Sequence, residues 1–328
     1  MEGVPGKHPA GSVGVGHAHA KAVLLGEHAV VYGAPALALP MPQLKVTARA
    51  GWSSHTAAAD AGLSFTMTGS APPAVVAQAA ESVRQLVDAF RVRVGAHDGP
   101  HLDVSLDSAI PPGRGLGSSA ANSRAIVLAL ADLFGRELTE SAVFDLVQTA
   151  ENRTHGRASG VDAATVGASA PLLFQAGRTA PLSIRGDHLF IIADSGAAGS
   201  TKEAVALLRA GFQRHAGAQE RFVLHASQLV REAGQALTDG RPATAGARLS
   251  DYHSLLRTVG LSTDRMDALV EAALAAGSPG AKITGGGLGG CVLALSPPDR
   301  AEDVERNLRA AGAVRTWVVS AKEHRGHA

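Results

Sequence analysis

Residues 110–123 read Ile-Pro-Pro-Gly-Arg-Gly-Leu-Gly-Ser-Ser-Ala-Ala-Asn-Ser, and no other stretch constrains the fold as tightly. Gly113, Gly115 and Gly117 alternate, so the backbone can take φ > 0 there and leave its N–H groups uncovered. Ser118 and Ser119 follow at cap and first-turn positions, and residues 120–130 form a helix-favouring run. Upstream, residues 101–106 alternate as a strand does. The local order is strand, tight turn, helix. A helix N-terminus offers unpaired N–H donors and roughly half a positive charge, which suits an anion. The stretch is expected to cradle phosphate; the competing reading is an ordinary buried strand–helix turn.

Two glycine fingerprints fit it poorly. The Walker pattern fails because Ser118, not Lys, follows Gly117. The dinucleotide pattern would end on Ala120, and no acidic residue at a strand end follows about 20 residues later.

The second candidate site is Lys21-Ala22-Val23-Leu24-Leu25, a short apolar strand that stops at Gly26-Glu27-His28 and is expected to resume over residues 29–33. Charges at the edges of a buried segment are costly unless paired or used. A solvated strand end is the alternative. Asp162 is the third, a carboxylate among small apolar residues beside Ser159-Gly160. It reads either as a helix cap or as a group that binds something. Ala281-Lys282-Ile283-Thr284 then leads into Gly285 to Gly290, glycine everywhere except Leu288. Such a run suits neither helix nor strand, and implies close backbone approach to a ligand or to the other glycine loop.

The remaining pattern is mixed. Residues 44–50 read as a strand and 51–69 as a surface hairpin region. Pro72-Pro73 opens an amphipathic helix, and a second runs over about 141–155 with Thr139 as its cap. A clear strand at 189–194 marks the domain change. Helices follow at 201–214, 220–237, 243–259 and 263–276, then strands at 292–295 and 316–320 around a helix at 301–311. Ser200 or Thr201 caps the first of these helices; for Thr201 a cap role and a site role both stand. The expected class is α+β. Residues 1–12 form a flexible tail, with domains at 13–185 and 186–328.

Composition removes several functions. A net charge of +1 gives no electrostatic case for nucleic acid. The one cysteine, Cys291, cannot form an internal disulfide or a Cys-based zinc site, and its apolar neighbours suggest an inert buried thiol. His8, His17 and His19 suggest a loose N-terminal segment rather than a metal tract. No apolar run approaches the ~20 residues of a membrane span, so a cytoplasmic protein is expected.

Phosphoryl transfer needs phosphate donors, Mg²⁺ ligands, a cation and a group that orients or deprotonates the acceptor. Ser118, Ser119 and Glu151 offer hard oxygens for Mg²⁺. Lys21 can neutralise developing charge and Asp162 can accept a hydroxyl proton.

These motifs together resemble the GHMP kinases. The match rests on Lys21-Ala22-Val23-Leu24-Leu25-Gly26-Glu27-His28-Ala29-Val30-Val31-Tyr32-Gly33, on residues 111–121, and on residues 282–291, with Glu151 and Ser159-Gly160-Val161-Asp162 between them. The Gly-Glu-His-Ala-Val-Val opening is similar to that of the members acting on mevalonate. The resemblance implies a two-domain fold, an N-terminal α+β domain and a C-terminal ferredoxin-like α+β domain with the active site between them. It implies ATP and Mg²⁺, with Pro111, Gly113, Gly115, Leu116, Gly117, Ser118, Ser119 and Ala120 around the phosphates and Ser119 with Glu151 on the metal. Asp162 would be the catalytic base or an orienting group, beside Lys21. Glu27, His28 and Thr201 would serve the acceptor, and the third motif would support the phosphate loop. A homodimer is implied by analogy alone. Other acceptors, phosphomevalonate or homoserine, and a non-catalytic nucleotide-binding module remain as alternatives. Two departures stand out: His19-Ala20 replaces Pro-Gly before the lysine, so the preceding turn is expected to differ, and Leu288 occupies a position where Gly is common, which could narrow the pocket.

Overall fold

The computed structural model describes residues 12–53, 62–68, 73–96 and 100–320. The expected tail and His8 lie outside these, apart from Ser12; so do residues 54–61 and 69 of the expected hairpin, and Pro72. The strands are β1 (Val13–Leu25), β2 (Ala36–Trp52), β3 (Leu63–Met67), β4 (Leu102–Ser108), β5 (Leu172–Gln175), β6 (Arg178–Pro181), β7 (Leu189–Asp194), β8 (Gly280–Thr284), β9 (Cys291–Ser296) and β10 (Arg315–Ser320). The α-helices are α1 (Pro73–Val94), α2 (Ser118–Leu133), α3 (Glu140–His155), α4 (Val161–Thr165), α5 (Thr201–Arg214), α6 (Ala218–Thr238), α7 (Pro242–Thr258), α8 (Asp264–Ala275) and α9 (Ala301–Ala310). The chain divides into two compact units. One holds residues 1–19, 43–110 and 119–156, the other 20–42, 111–118 and 157–328.

In the first unit β2 runs antiparallel to β4, with Val46 opposite Ser108 and Trp52 opposite Leu102. β3 pairs in parallel with β4 instead of folding back on β2, so the expected hairpin is replaced by the order β3-β4-β2. Leu102, Val104 and Leu106 alternate into the core. Trp52 and Phe90 both pack on Phe134, with ring centroids 4.8 and 5.4 Å away. α3 starts where its sequence predicts, with Thr139 Oγ1 accepting from the Ala142 amide.

β1 corrects the expected loose N-terminus. It is a strand from Val13 onward, and His17 and His19 lie within it. The core-facing positions are Gly14, Gly16, Ala18 and Ala20, all buried. α2 comes so close that a Cβ on Gly14 would lie 2.1 Å from the Ala129 carbonyl and one on Gly16 2.0 Å from that of Ala125. His19-Ala20 is continuous strand, so no turn precedes Lys21. Residues 29–32 also depart from expectation: they form a 3₁₀ turn with Ala29 and Val30 buried, not a resumed strand.

In the second unit β7, β8, β9 and β10 form an antiparallel sheet in the order β10-β7-β9-β8. Counted within this half, the order is 4-1-3-2, with helices between the first and second strands and between the third and fourth. That is the ferredoxin-like arrangement the resemblance implied. β8 is a fully buried strand that the following glycines obscured. Phe190, Ile191, Ile192 and Ala193 of β7 have no exposed surface, and Cys291 is buried, where desolvation pushes its thiol far up.

Candidate active site

The first glycine-rich loop, residues 111–117, takes φ of +75° at Gly115 and +73° at Gly117, conformations that side-chain-bearing residues rarely adopt. Packing also demands glycine there. A Cβ on Gly117 would lie 2.9 Å from the Lys21 stem, and one on Gly115 2.8 Å from the Gly285 Cα. Of the two reasons offered for the third motif's glycines, the structure gives loop against loop: the backbone at Gly285 lies directly on that at Gly115.

Arg114 fastens the loop further. Its Nε lies 2.8 Å from Asp194 Oδ1, its Nη2 donates to the Gly196 carbonyl at 3.1 Å, and the Gly199 amide donates to the Gly113 carbonyl. No signal in the sequence marked this Arg114–Asp194 pair.

Lys21 lies at the foot of the loop. Its amide donates to the Leu116 carbonyl and its Nζ to the Gly115 carbonyl, both at 3.0 Å. The same Nζ is 3.0 Å from Asp162 Oδ1, and the Asp162 side chain is 34% exposed while that of Lys21 is 3%. Asp162 stands in the first turn of α4, whose cap is Gly160, so the helix-cap alternative for Asp162 is set aside.

The Gly26-Glu27-His28 turn holds a second lysine–carboxylate pair. Glu27 Oε1 bonds to Lys282 Nζ, and both side chains are almost wholly buried. Tyr252 of α7 donates from its hydroxyl to the Glu27 carbonyl at 2.9 Å, and Lys282 Nζ lies 5.6 Å from the Tyr252 ring centroid. Burial pushes the Glu27 carboxyl up and the Lys282 ammonium down, each opposed by the partner's charge. Burial also pushes His28 down to about 4, and its ring bonds to the Gly286 backbone. His28 takes φ +63°, strained for a residue with a side chain. Among the described residues, Glu27 Oε2 and His28 Nε2 are buried and find no hydrogen-bond partner.

Thr201 is the first residue of α5, whose cap is Ser200. Its hydroxyl is thus released from capping, and a Cβ on Gly286 would lie 2.5 Å from Thr201 Oγ1. The second unit therefore gathers Lys21, Glu27, His28, Asp162, Thr201 and residues 111–118. Ser119, Ala120 and Glu151 belong to the first unit, where Ser119 is in the opening turn of α2 and Glu151, near the end of α3, is 4% exposed. Sequence reasoning missed the roles of Lys282 and Tyr252. For Lys282 the signal was present: a lysine within an apolar run, as at Lys21.

Among the described residues no three His, Cys, Asp or Glu side chains cluster as a protein-only metal cage, and no helix is long and apolar enough to cross a membrane. The chemistry of the donor set does suit Mg²⁺. A buried carboxylate and a helix-terminal hydroxyl are hard oxygens, and this ion takes few protein ligands beside phosphates and water.

Two family models match the chain: GHMP kinases N terminal domain over residues 76–169 and GHMP kinases C terminal over 233–314. The chain is 32% identical to a mevalonate kinase of Thermococcus gammatolerans over 302 residues, 87% of this chain and 90% of that one. It is 30% identical to a mevalonate kinase of Pyrococcus horikoshii over 318 residues, 90% and 92% of the two chains. Its fold is similar to that of L. major mevalonate kinase in complex with R-mevalonate, with a TM-score of 0.80, 23% identity, and 98% and 99% of the chains covered.

Proposed function

The chain belongs to the GHMP kinase family, and from that premise we propose that it transfers the γ-phosphoryl group of ATP to the 5-hydroxyl of mevalonate, giving 5-phosphomevalonate and ADP. The observation that carries the reaction type is the 3.0 Å contact of Lys21 with Asp162 beneath the phosphate loop. The acceptor rests on kinship with the archaeal relatives.

Asp162 orients the acceptor hydroxyl and takes its proton as the oxygen bonds to the γ-phosphorus. The bond from that phosphorus to the β–γ bridging oxygen breaks, and ADP leaves with the electron pair. Lys21, already shared between Asp162 and the Gly115 carbonyl, offsets the charge that gathers on the transferring group. The amides of residues 115–119 hold the phosphates, with Pro111, Gly113 and Ala120 completing the lining. Ser119 and Glu151 would hold Mg²⁺, which when bound screens the phosphate charge. Thr201, Glu27 and His28 serve the acceptor end. The N- and C-terminal GHMP domains span 13–185 and 186–328 in this reading. A cytoplasmic location, as expected from the sequence, and a homodimer, by analogy alone, are part of it too.

A coupled ADP-release assay tests the proposal, and mevalonate-dependent turnover is the expected result. Release with phosphomevalonate or homoserine but not mevalonate would overturn the acceptor. No release with any of these alcohols would favour a non-catalytic nucleotide-binding module.

A further inference from the structure

Glu27 poses a problem that its ion pair does not solve. One carboxylate oxygen is bonded to Lys282, while the other, Oε2, is buried with no partner among the described residues. The adjacent residue repeats the pattern, with His28 Nε2 buried and unpartnered on a strained backbone. An unsatisfied buried polar atom is costly, and two on consecutive residues, close enough to Lys21 for its charge to act on Glu27, point to a ligand that satisfies them.

We propose that Lys282 is a positioning residue of the acceptor site, acting through Glu27: it occupies Oε1 and so holds Oε2 as a fixed hydrogen-bond acceptor for the hydroxyl of mevalonate that is not phosphorylated, the one on C3. This deepens, and rests on, the function proposed above.

Three observations fix Glu27 in that role. Lys282 has no exposed surface and cannot swing to another partner. Tyr252 anchors the Glu27 carbonyl, so the residue is held at backbone and side chain alike. Two residues beyond Lys282, Thr284 ties β8 to β1. Its Oγ1 donates to the Val23 carbonyl at 2.9 Å and accepts from the Val23 amide at 3.2 Å. Lys282 and Lys21, two residues from Val23, therefore share one rigid frame. Charge selects the ligand group. A carboxylate oxygen repels the acceptor's own carboxylate and welcomes a hydroxyl donor.

The test compares mevalonate with its 3-deoxy analogue, 5-hydroxy-3-methylpentanoate, in the unaltered enzyme and in Lys282→Met. The unaltered enzyme is expected to prefer mevalonate in kcat/KM by about 10–100-fold, the cost of leaving a buried acceptor unpaired. In Lys282→Met the preference should fall to within about threefold, through a raised KM for mevalonate, with the KM for ATP unchanged. A merely structural role would lower turnover of both acceptors and leave their ratio intact, and that result overturns the proposal. If Lys282→Met does not fold, the Glu27→Gln, Lys282→Met double variant, which carries no uncompensated charge, is measured instead against the same two outcomes. Failure of the unaltered enzyme to phosphorylate mevalonate refutes the functional reading, and this inference with it. Turnover with an unchanged ratio in the variant refutes the inference alone.

Discussion

Two lysine–carboxylate pairs lie six residues apart along the chain, counted from Lys21 to Glu27, and they live in opposite environments. Lys21 meets Asp162 at 3.0 Å, and the carboxylate keeps a third of its side-chain surface in contact with solvent. Lys282 meets Glu27 with both partners sealed from water. A half-open pair can exchange partners, admit a substrate and move a proton. A sealed pair can do none of these; its strength goes into fixing geometry, because separating it leaves a bare charge in a medium that solvates it poorly. On the function proposed above, the half-open pair is the one suited to chemistry and the sealed pair the one suited to aiming it.

The comparison breaks most visibly at Asp162. Asp162→Asn should lower kcat by roughly 10²–10⁴-fold, the usual range for loss of a general base, with thermal stability and MgATP binding close to those of the parent. Activity within tenfold of the parent would remove the proton-accepting role and leave Asp162 an orienting group at most. Glu27→Ala should cost stability as well as acceptor binding. It strands the Lys282 ammonium with no exposed surface, and breaking a buried pair in this way costs about 3–5 kcal/mol. Denaturant unfolding measures it; a loss below about 1 kcal/mol would mean that the sealed pair behaves like a surface one.

The same contrast explains what could be read from the sequence. Lys21, Glu27 and Asp162 were legible because each is a charge set among apolar or small residues, and the alternating glycines announced their loop. The N-terminal half of β1 was not, since its core-facing positions are Gly14, Gly16, Ala18 and Ala20, which carry period two without bulk. Gly14 and Gly16 are small because the α2 backbone fills the space. Val30 and Val31 favour a strand by propensity, yet the left-handed turn at His28 redirects the chain into 3₁₀ geometry. Glu27 and Lys282 are separated by 255 positions, and no local pattern can show that they meet. The Ser200 cap was one of two candidates, decided only by which hydroxyl reached the Glu203 amide.

Acid should sharpen the comparison with the smallest of these effects. His28, beside the sealed pair, and His253, next in sequence to Tyr252, are both pushed down to about 4 by burial. His253 Nε2 also lies 3.1 Å from Asp267, whose charge works the other way. A histidine with a depressed folded-state value stays neutral where the unfolded chain, near 6.5, is protonated. Between about 6.5 and 4 the unfolded state binds more protons, so these two groups make stability fall as pH falls. Glu27, raised by burial, contributes the opposite slope. His253→Gln separates the terms without touching Glu27. Its stability deficit relative to the parent should be largest at pH 7 and shrink by on the order of 1–2 kcal/mol at pH 4.5, read as converging melting temperatures. A deficit that holds constant from pH 7 to 4.5 would show that His253 titrates as a solvated histidine. In that case the low-dielectric region around Lys282 and Tyr252 would not extend one residue along α7.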